Sequence, residues 1–128
     1  MADKHIIFVV DDNEANLTAC KQMLKINYVV YPALSAAKMF ELLNHVKPAL
    51  IILDVEMPEM DGFEAIKLLK ANDAIRDIPV MFLSAREDAA SEEKGMSLGA
   101  DDFLHKPFSS VMLLKRIEKI LAKRNAPA

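Results

Sequence analysis

The sequence predicts a single α/β domain that is built around a parallel β-sheet. Short apolar runs recur along the chain, and segments with the apolar spacing of helices separate them. This alternation repeats five times at roughly 21–30 residues per unit, which is typical of parallel sheets. The length of 128 residues fits one domain. We therefore expect one domain over residues 1–128, with its core at about residues 5–123 and a loose tail at residues 124–128.

Five apolar runs predict the strands. The first four are almost continuously apolar, which is the pattern of strands that are buried on both faces of a sheet. Pro32 ends the second run, and this favours an edge strand because proline has no backbone N–H to donate. The predicted strands cover residues 6–10, 29–31, 50–53, 80–83 and, more weakly, 102–104.

Four helices are predicted from apolar residues that recur every three or four positions. Their apolar faces are Leu17, Cys20 and Leu24; Met39, Leu42, Leu43 and Val46; Phe63, Ile66 and Leu69; and Leu113, Ile117, Ile120 and Leu121. The cysteine on the first of these faces is interpreted as a core residue. A further helix is expected at about residues 89–98. It contains Gly95, which costs about 1 kcal/mol relative to alanine inside a helix, so replacement of Gly95 by alanine is expected to stiffen it.

The composition excludes several classes of protein. One cysteine is too few for a disulfide framework or a cysteine-based metal site, and three scattered glycines do not form a nucleotide-binding loop. The apolar runs are much shorter than the ~18 residues that span a bilayer, and the polar N-terminus does not resemble a signal peptide. The net charge of −3 does not favour nucleic-acid binding. We therefore expect a cytoplasmic protein without membrane insertion or direct contact with nucleic acid.

Charged and hydroxyl side chains are concentrated where the predicted strands end. In chain order, these side chains are Asp11 and Asp12, Asp54, Ser84 and Lys106. In a parallel α/β sheet these strand ends lie along one edge, and functional groups gather there. A carboxylate that closes a fully apolar strand, as Asp54 does, is costly to bury without a partner. The pattern therefore predicts a polar site at this edge.

Three converging carboxylates repel one another, which disfavours their charged forms. A divalent cation relieves this repulsion, and Mg²⁺ binds one or two carboxylates together with waters and a phosphate oxygen. An oxygen of Asp54 then remains free to attack phosphorus and form an acyl phosphate. Ser84 can donate a hydrogen bond to a phosphoryl oxygen, and Lys106 can neutralise another. The residues therefore indicate phosphoryl transfer.

Four segments of the chain resemble the receiver domains of two-component response regulators. They are residues 9–14 (VVDDNE), 52–62 (ILDVEMPEMDG), 82–85 (FLSA) and 99–108 (GADDFLHKPF). The resemblance covers about residues 5–123. It implies a (βα)5 flavodoxin-like fold, which is a doubly wound parallel sheet with strand order 2-1-3-4-5. The first and third strands are then neighbours, so Asp11, Asp12 and Asp54 meet where the strand order reverses.

The resemblance also implies a metal site and a phosphoacceptor. Asp54 is the phosphoacceptor by this match. Asp11, Asp12 and Asp54 hold Mg²⁺, or alternatively Mn²⁺, together with the backbone carbonyl of Glu56.

A phosphoryl-binding pair and a switch residue follow from the same resemblance. Ser84 and Lys106 bind the phosphoryl group, and Phe103 is a switch residue whose ring is buried or exposed according to the state of Ser84. Serine replaces the common threonine at position 84 and keeps the hydroxyl, whereas phenylalanine replaces the common tyrosine at position 103 and lacks its hydroxyl. The Lys106–Pro107 peptide bond is expected to be cis.

The implied function is that of a phosphoacceptor module rather than an enzyme that acts on a separate substrate. A histidine kinase or a histidine phosphotransfer protein donates the phosphoryl group, and the domain catalyses its own phosphorylation and dephosphorylation. Phosphorylation changes the surface of the fourth helix, the fifth strand and the last helix, which signals to a downstream protein or a fused output domain. The alternative is the excised N-terminal receiver of a longer regulator with an enzymatic or DNA-binding output domain.

Two functions of other classes compete with this interpretation. Phosphatases that form an aspartyl-phosphate intermediate resemble a pattern with an acid/base Asp two residues after the nucleophile and Thr or Val two residues further on. This chain has Glu56 and Pro58 at those positions, so it lacks that motif. A flavodoxin-like electron carrier needs a first loop that cradles phosphate. Residues 11–14 of this chain are instead acidic and repel phosphate unless a cation intervenes.

Overall fold

The structure is a computed structural model that describes residues 4–85 and 89–125. In these ranges five strands and five helices alternate along the chain. In chain order they are β1 (Ile6–Val10), α1 (Glu14–Leu24), β2 (Val29–Ala33), α2 (Ala36–Leu43), β3 (Leu50–Asp54), α3 (Gly62–Ala71), β4 (Val80–Ser84), α4 (Ala89–Ser97), β5 (Asp102–His105) and α5 (Ser110–Asn125). The strands form one parallel sheet in the order β2-β1-β3-β4-β5. The predicted fold is confirmed.

Helices cover both faces of the sheet. Alternate side chains of each strand point to opposite faces: in β1, Ile7 and Val9 join the cluster that contains residues of α1 and α5. Phe8 and Val10 join the cluster that contains residues of α2 and α3. All residues of β3 and β4 are buried, as the continuous apolar runs predict. Full burial of a large apolar side chain is worth about 1.5–3 kcal/mol, so these two clusters are the main stabilising feature.

The observed elements differ from the predicted ones mainly at their ends. Strand β2 continues through Pro32 to Ala33, which the sheet tolerates because β2 is an edge strand. Helix α2 ends at Leu43, so Val46 lies beyond the helix, although its side chain still packs against the core. Pro48 follows closely, and proline disfavours helical backbone in the residue before it.

Helix α5 extends past the predicted limit of the core. It reaches Asn125, and Arg124, which falls in the predicted tail, donates a hydrogen bond to Asp101 at 3.1 Å. Arginine in the last turn of a helix also interacts favourably with the helix dipole. Residues 126–128 of the predicted tail lie outside the described residues.

A close approach of α3 to the end of β3 requires glycine at position 62. A Cβ atom at Gly62 would collide with the backbone carbonyl oxygen of Asp54 and would lie 3.0 Å from a ring carbon of Phe82. The backbone N–H of Gly62 donates to the carbonyl of Val55 at 2.8 Å, which closes the loop between the two elements. This loop forms one side of the polar edge of the sheet.

In the described part of the chain, no helix combines the length and the apolar character that crossing a membrane requires.

Candidate functional site

The carboxylate of Asp11 is held in place by its neighbours at the end of β1. It accepts hydrogen bonds from the backbone N–H of Asn13 at 2.9 Å and from the side-chain amide of Asn16 at 3.1 Å. Asp11 is only 4% exposed to solvent. Asn13 in turn is the N-cap of α1 and accepts a hydrogen bond from the backbone N–H of Asn16. The start of α1 therefore both orients Asp11 and offers a favourable helix dipole to its charge.

Three of the predicted site carboxylates meet at the edge of the sheet. Asp11, Asp12 and Asp54 each offer an oxygen, and these oxygens lie within 4.8 Å of one another. Asp11 and Asp54 are buried, whereas Asp12 is exposed. Carboxylate oxygens are the ligands that Mg²⁺ prefers, and Mg²⁺ keeps several waters in its coordination shell. The donor set and its open side fit such an ion.

Lys106 lies at the same site. Its Nζ is 3.3 Å from Oδ2 of Asp11 and 3.8 Å from Oδ1 of Asp54. Its backbone N–H donates to the carbonyl of Ser84 at 2.8 Å, and the Lys106–Pro107 peptide bond is cis, as expected. One ammonium group therefore partly offsets the charge of two buried carboxylates, and it stands within reach of any group that Asp54 would carry.

The pKa of Asp54 is raised from 3.8 to about 6. Burial is the largest cause, and the nearby charges of Asp11 and Asp12 add to it, whereas Lys106 and a hydrogen bond from the backbone N–H of Glu56 lower it. The sequence argument attributes the raised pKa to repulsion between carboxylates. The structure makes desolvation the main cause, because Asp54 closes a strand whose five residues are all buried.

Ser84 and Phe103 lie on adjacent strands behind the carboxylates. Ser84 ends β4 and is fully buried, and its register partner on β5 is His105. Phe103 is 3% exposed, and its ring centroid lies 5.8 Å from that of Phe82. The ring of the proposed switch residue therefore points into the core in this structure.

The loop after β3 forms the outer rim of the site. Asp12 and the loop residues Glu56, Met57, Pro58 and Asp61 line an open depression of about 430 Å³. Asp61 caps α3 through a reciprocal pair of hydrogen bonds with Glu64. Glu56 is exposed, so the loop places an acidic side chain at the entrance to the cluster.

Sequence reasoning missed two contributors to this site. Asn16 orients Asp11, but an asparagine in the first turn of a helix has no pattern that distinguishes it from an ordinary polar residue. The close packing that excludes a side chain at Gly62 beside the Asp54 carbonyl is also missed, although the Asp-Gly pair at residues 61–62 is a turn signal that could have indicated a close backbone approach.

Comparisons with known proteins agree on one family. A family model of the response regulator receiver domain matches residues 7–118. The transcriptional regulatory protein PrrA of Mycobacterium leprae is 34% identical over 123 residues, which are 95% of this chain and 52% of PrrA. A probable cyclic di-GMP phosphodiesterase of Vibrio cholerae is 34% identical over 120 residues, which are 94% of this chain and 27% of that protein.

A solved structure shows the same arrangement of elements. The signal receiver domain of a signal transduction histidine kinase from Syntrophus aciditrophicus aligns with a TM-score of 0.87 at 30% sequence identity, and the alignment covers 97% of this chain and 95% of that domain. The chain therefore belongs to the response regulator receiver family, whose members are the phosphoacceptor modules of two-component systems. It spans about half the length of PrrA and about a quarter of the phosphodiesterase.

Proposed function

We propose that Asp54 is the residue that accepts the phosphoryl group in this receiver domain. The observation that carries the proposal is the meeting of three carboxylates within 4.8 Å, with the Lys106 ammonium 3.8 Å from Asp54. Of the three, Asp54 is the last residue of a fully buried strand. Asp11 is closer to Lys106, but both of its oxygens already accept hydrogen bonds from Asn13 and Asn16, and Asp12 lies on the solvent side. A phosphoryl donor that approaches from solvent then reaches the Asp54 carboxylate on the side where Lys106 and Asp12 lie.

The reaction joins one oxygen of Asp54 to phosphorus. A carboxylate oxygen attacks the phosphorus atom of a phosphohistidine, the P–N bond breaks, and its electron pair remains on the imidazole nitrogen. The product is an acyl phosphate on Asp54. Attack of water on phosphorus reverses the modification, which releases inorganic phosphate and regenerates the carboxylate.

The residues around Asp54 position the transferred group and balance its charge. Lys106 leaves its contact with Asp11 and pairs with a phosphoryl oxygen, and the hydroxyl of Ser84 donates to another. Asp11, Asp12 and Asp54, together with the backbone carbonyl of Glu56, would hold Mg²⁺. When bound, the ion supplies positive charge that offsets the carboxylates and the phosphoryl oxygens. Mn²⁺ is a second candidate, since it accepts the same oxygen ligands.

The proposed partners follow from the family. A histidine kinase or a histidine phosphotransfer protein donates the phosphoryl group in the cytoplasm, and Ser84 and Phe103 transmit the change to the surface of α4, β5 and α5. The readout is a protein target or an output domain that follows the receiver in a longer chain. The lengths of PrrA and of the phosphodiesterase, which the chain covers only in part, support the second form.

The extent of phosphorylation by a small donor tests the proposal. The protein is incubated with acetyl phosphate, with Mg²⁺ or with EDTA, and the intact mass is measured over time. We expect one added phosphoryl group with Mg²⁺ and none with EDTA. In this reaction acetate leaves with the electron pair of the broken P–O bond.

Asp54→Asn and Asp61→Asn are a matched pair of variants for this experiment. Both remove one negative charge next to the same loop, and asparagine keeps the N-cap of α3 because it caps helices as well as aspartate does. Asp54→Asn should abolish labelling and Asp61→Asn should preserve it. Labelling of Asp54→Asn to the same extent as the wild type would contradict the proposal.

A further inference from the structure

Helix α4 is attached to the domain almost without buried apolar side chains. Of its nine residues, Ser91 and Gly95 are the ones buried, whereas five residues of α3 are buried, including large apolar ones. Burial of a large apolar side chain contributes about 1.5–3 kcal/mol, and α4 lacks this attachment. Its contacts with the domain include the close approach of Gly95 to the rings of Phe82 and Phe103, the Lys94 ammonium over the ring of Phe63, and a polar contact with β5.

One polar contact joins α4 to β5. Oε1 of Glu92 lies 3.4 Å from Nε2 of His105, and the two side chains are 48% and 38% exposed. The contact is an ion pair when the imidazole is protonated, and it is a hydrogen bond when the neutral ring carries its proton on Nε2. In both forms it links α4 to the last residue of β5.

Both partners of this contact lie close to Phe103 or to a residue that packs on it. The ring centroids of Phe103 and His105 are 5.2 Å apart. A Cβ atom at Gly95 would lie 3.0 Å from the ring of Phe103, so α4 approaches the ring more closely than a residue with a side chain would comfortably allow. Gly95 is three residues after Glu92 and therefore on the same side of the helix. The Glu92–His105 pair thus connects two of the groups that pack near Phe103, namely α4 and His105.

The same pair lies next to the phosphoryl-binding residues. His105 is the register partner of Ser84, and it is followed directly by Lys106, whose backbone N–H donates to the Ser84 carbonyl at 2.8 Å. His105 is therefore connected directly to both residues that the proposed function assigns to the phosphoryl group.

We propose that the Glu92–His105 contact is a latch that holds α4 against β5 while Phe103 is buried, and that phosphorylation opens it. The proposal rests on the proposed function and adds two positioning residues to it. Because coupling between two sites is reciprocal, a contact that stabilises the resting form weakens the binding of a non-covalent phosphoryl mimic at Asp54 by the same factor. For a partly exposed pair we expect this factor to be at most about fivefold.

Hydrogen exchange of the unmodified protein tests the resting contact. Glu92→Ala removes the latch and keeps a strong helix former in α4, and His105→Phe removes the donor while it keeps a ring beside Phe103. Each variant should raise the exchange rates of the α4 amides up to about fivefold, and the double variant should raise them no further than the larger single effect. Glu93→Ala is the matched control, since it removes the neighbouring exposed glutamate from the same helix, and it should leave the rates within error of the wild type.

Binding of beryllofluoride, a mimic of the phosphoryl group, tests the coupling. In the presence of Mg²⁺, Glu92→Ala and His105→Phe should bind the mimic more tightly than the wild type, by the factor that hydrogen exchange gives, and Glu93→Ala should bind it unchanged. Equal affinity in all four proteins, or equal exchange in all of them, would overturn the latch. Failure of the wild type to bind the mimic would instead contradict the proposed function, and the exchange experiment would still decide whether the latch exists.

Discussion

Replacement of Asp54 by asparagine should stabilise the metal-free domain at neutral pH. The buried carboxyl has a pKa of about 6 in the folded state, against 3.8 as the ordinary value. The unfolded chain therefore loses this proton at a lower pH than the folded chain does. As pH rises from about 4 to 6, the domain loses stability, because the unfolded state gains more from ionisation. Asparagine is similar in shape to a protonated carboxyl and does not ionise.

The size of the effect follows from the difference in pKa. A shift from 3.8 to about 6 corresponds to about 3 kcal/mol at pH 7.5 and about 1 kcal/mol at pH 4.5, since each pKa unit is worth about 1.4 kcal/mol. The cluster is open to solvent on the side of Asp12, and solvent screens such interactions. We therefore expect Asp54→Asn to raise the free energy of unfolding by about 1–2 kcal/mol at pH 7.5 and by less at pH 4.5.

Urea unfolding in EDTA measures this gain. The wild type and Asp54→Asn are compared at pH 4.5 and pH 7.5. Asp73→Asn serves as a control because the Asp73 side chain is exposed in the segment that follows α3. The gain of Asp54→Asn should grow with pH, and Asp73→Asn should show no such trend. A gain that is the same at both pH values, or a variant less stable at pH 7.5, would refute the argument from burial.

Three further outcomes follow from the structure. Gly62→Ala should lower the free energy of unfolding by about 3 kcal/mol or more, measured by urea denaturation, because the new Cβ would meet the backbone carbonyl of Asp54, which cannot move aside. Gly95→Ala should also destabilise, by about 1–2 kcal/mol, since overpacking against the ring of Phe103 outweighs the gain in helix propensity; a more stable variant would show that the ring yields. Mg²⁺ at ten times its dissociation constant should stabilise the wild type by about 1.4 kcal/mol in thermal melts, and Asp12→Asn should reduce this gain at the same Mg²⁺ concentration.

The sheet and its polar edge could be predicted from sequence because their signals are local and repeated. Continuous apolar runs marked strands buried on both faces, and β1 has the predicted bounds, residues 6–10. The order of neighbouring strands is not local. It came from the resemblance, and with it the expectation that Asp11 and Asp54 lie at the ends of neighbouring strands.

The features that sequence reasoning did not predict depend on tertiary distances. Burial is the main cause of the raised pKa of Asp54, and its extent depends on which residues pack over the end of β3. The expectation that alanine at Gly95 stiffens α4 uses helix propensity alone, whereas the structure brings two aromatic rings within 3.2 Å of the missing Cβ. The approach of His105 to Glu92 joins residues of different elements, and no spacing along the chain indicates it.

The position of the phosphoryl group on the chain tests the central claim most directly. The protein is phosphorylated with acetyl phosphate and Mg²⁺, the acyl phosphate is reduced with borohydride, and the modified residue is located by peptide mass spectrometry. Borohydride converts the aspartyl phosphate to homoserine, so we predict homoserine at position 54 and unmodified aspartate at positions 11 and 12. Homoserine at position 11 or 12 with an intact Asp54 would contradict the account.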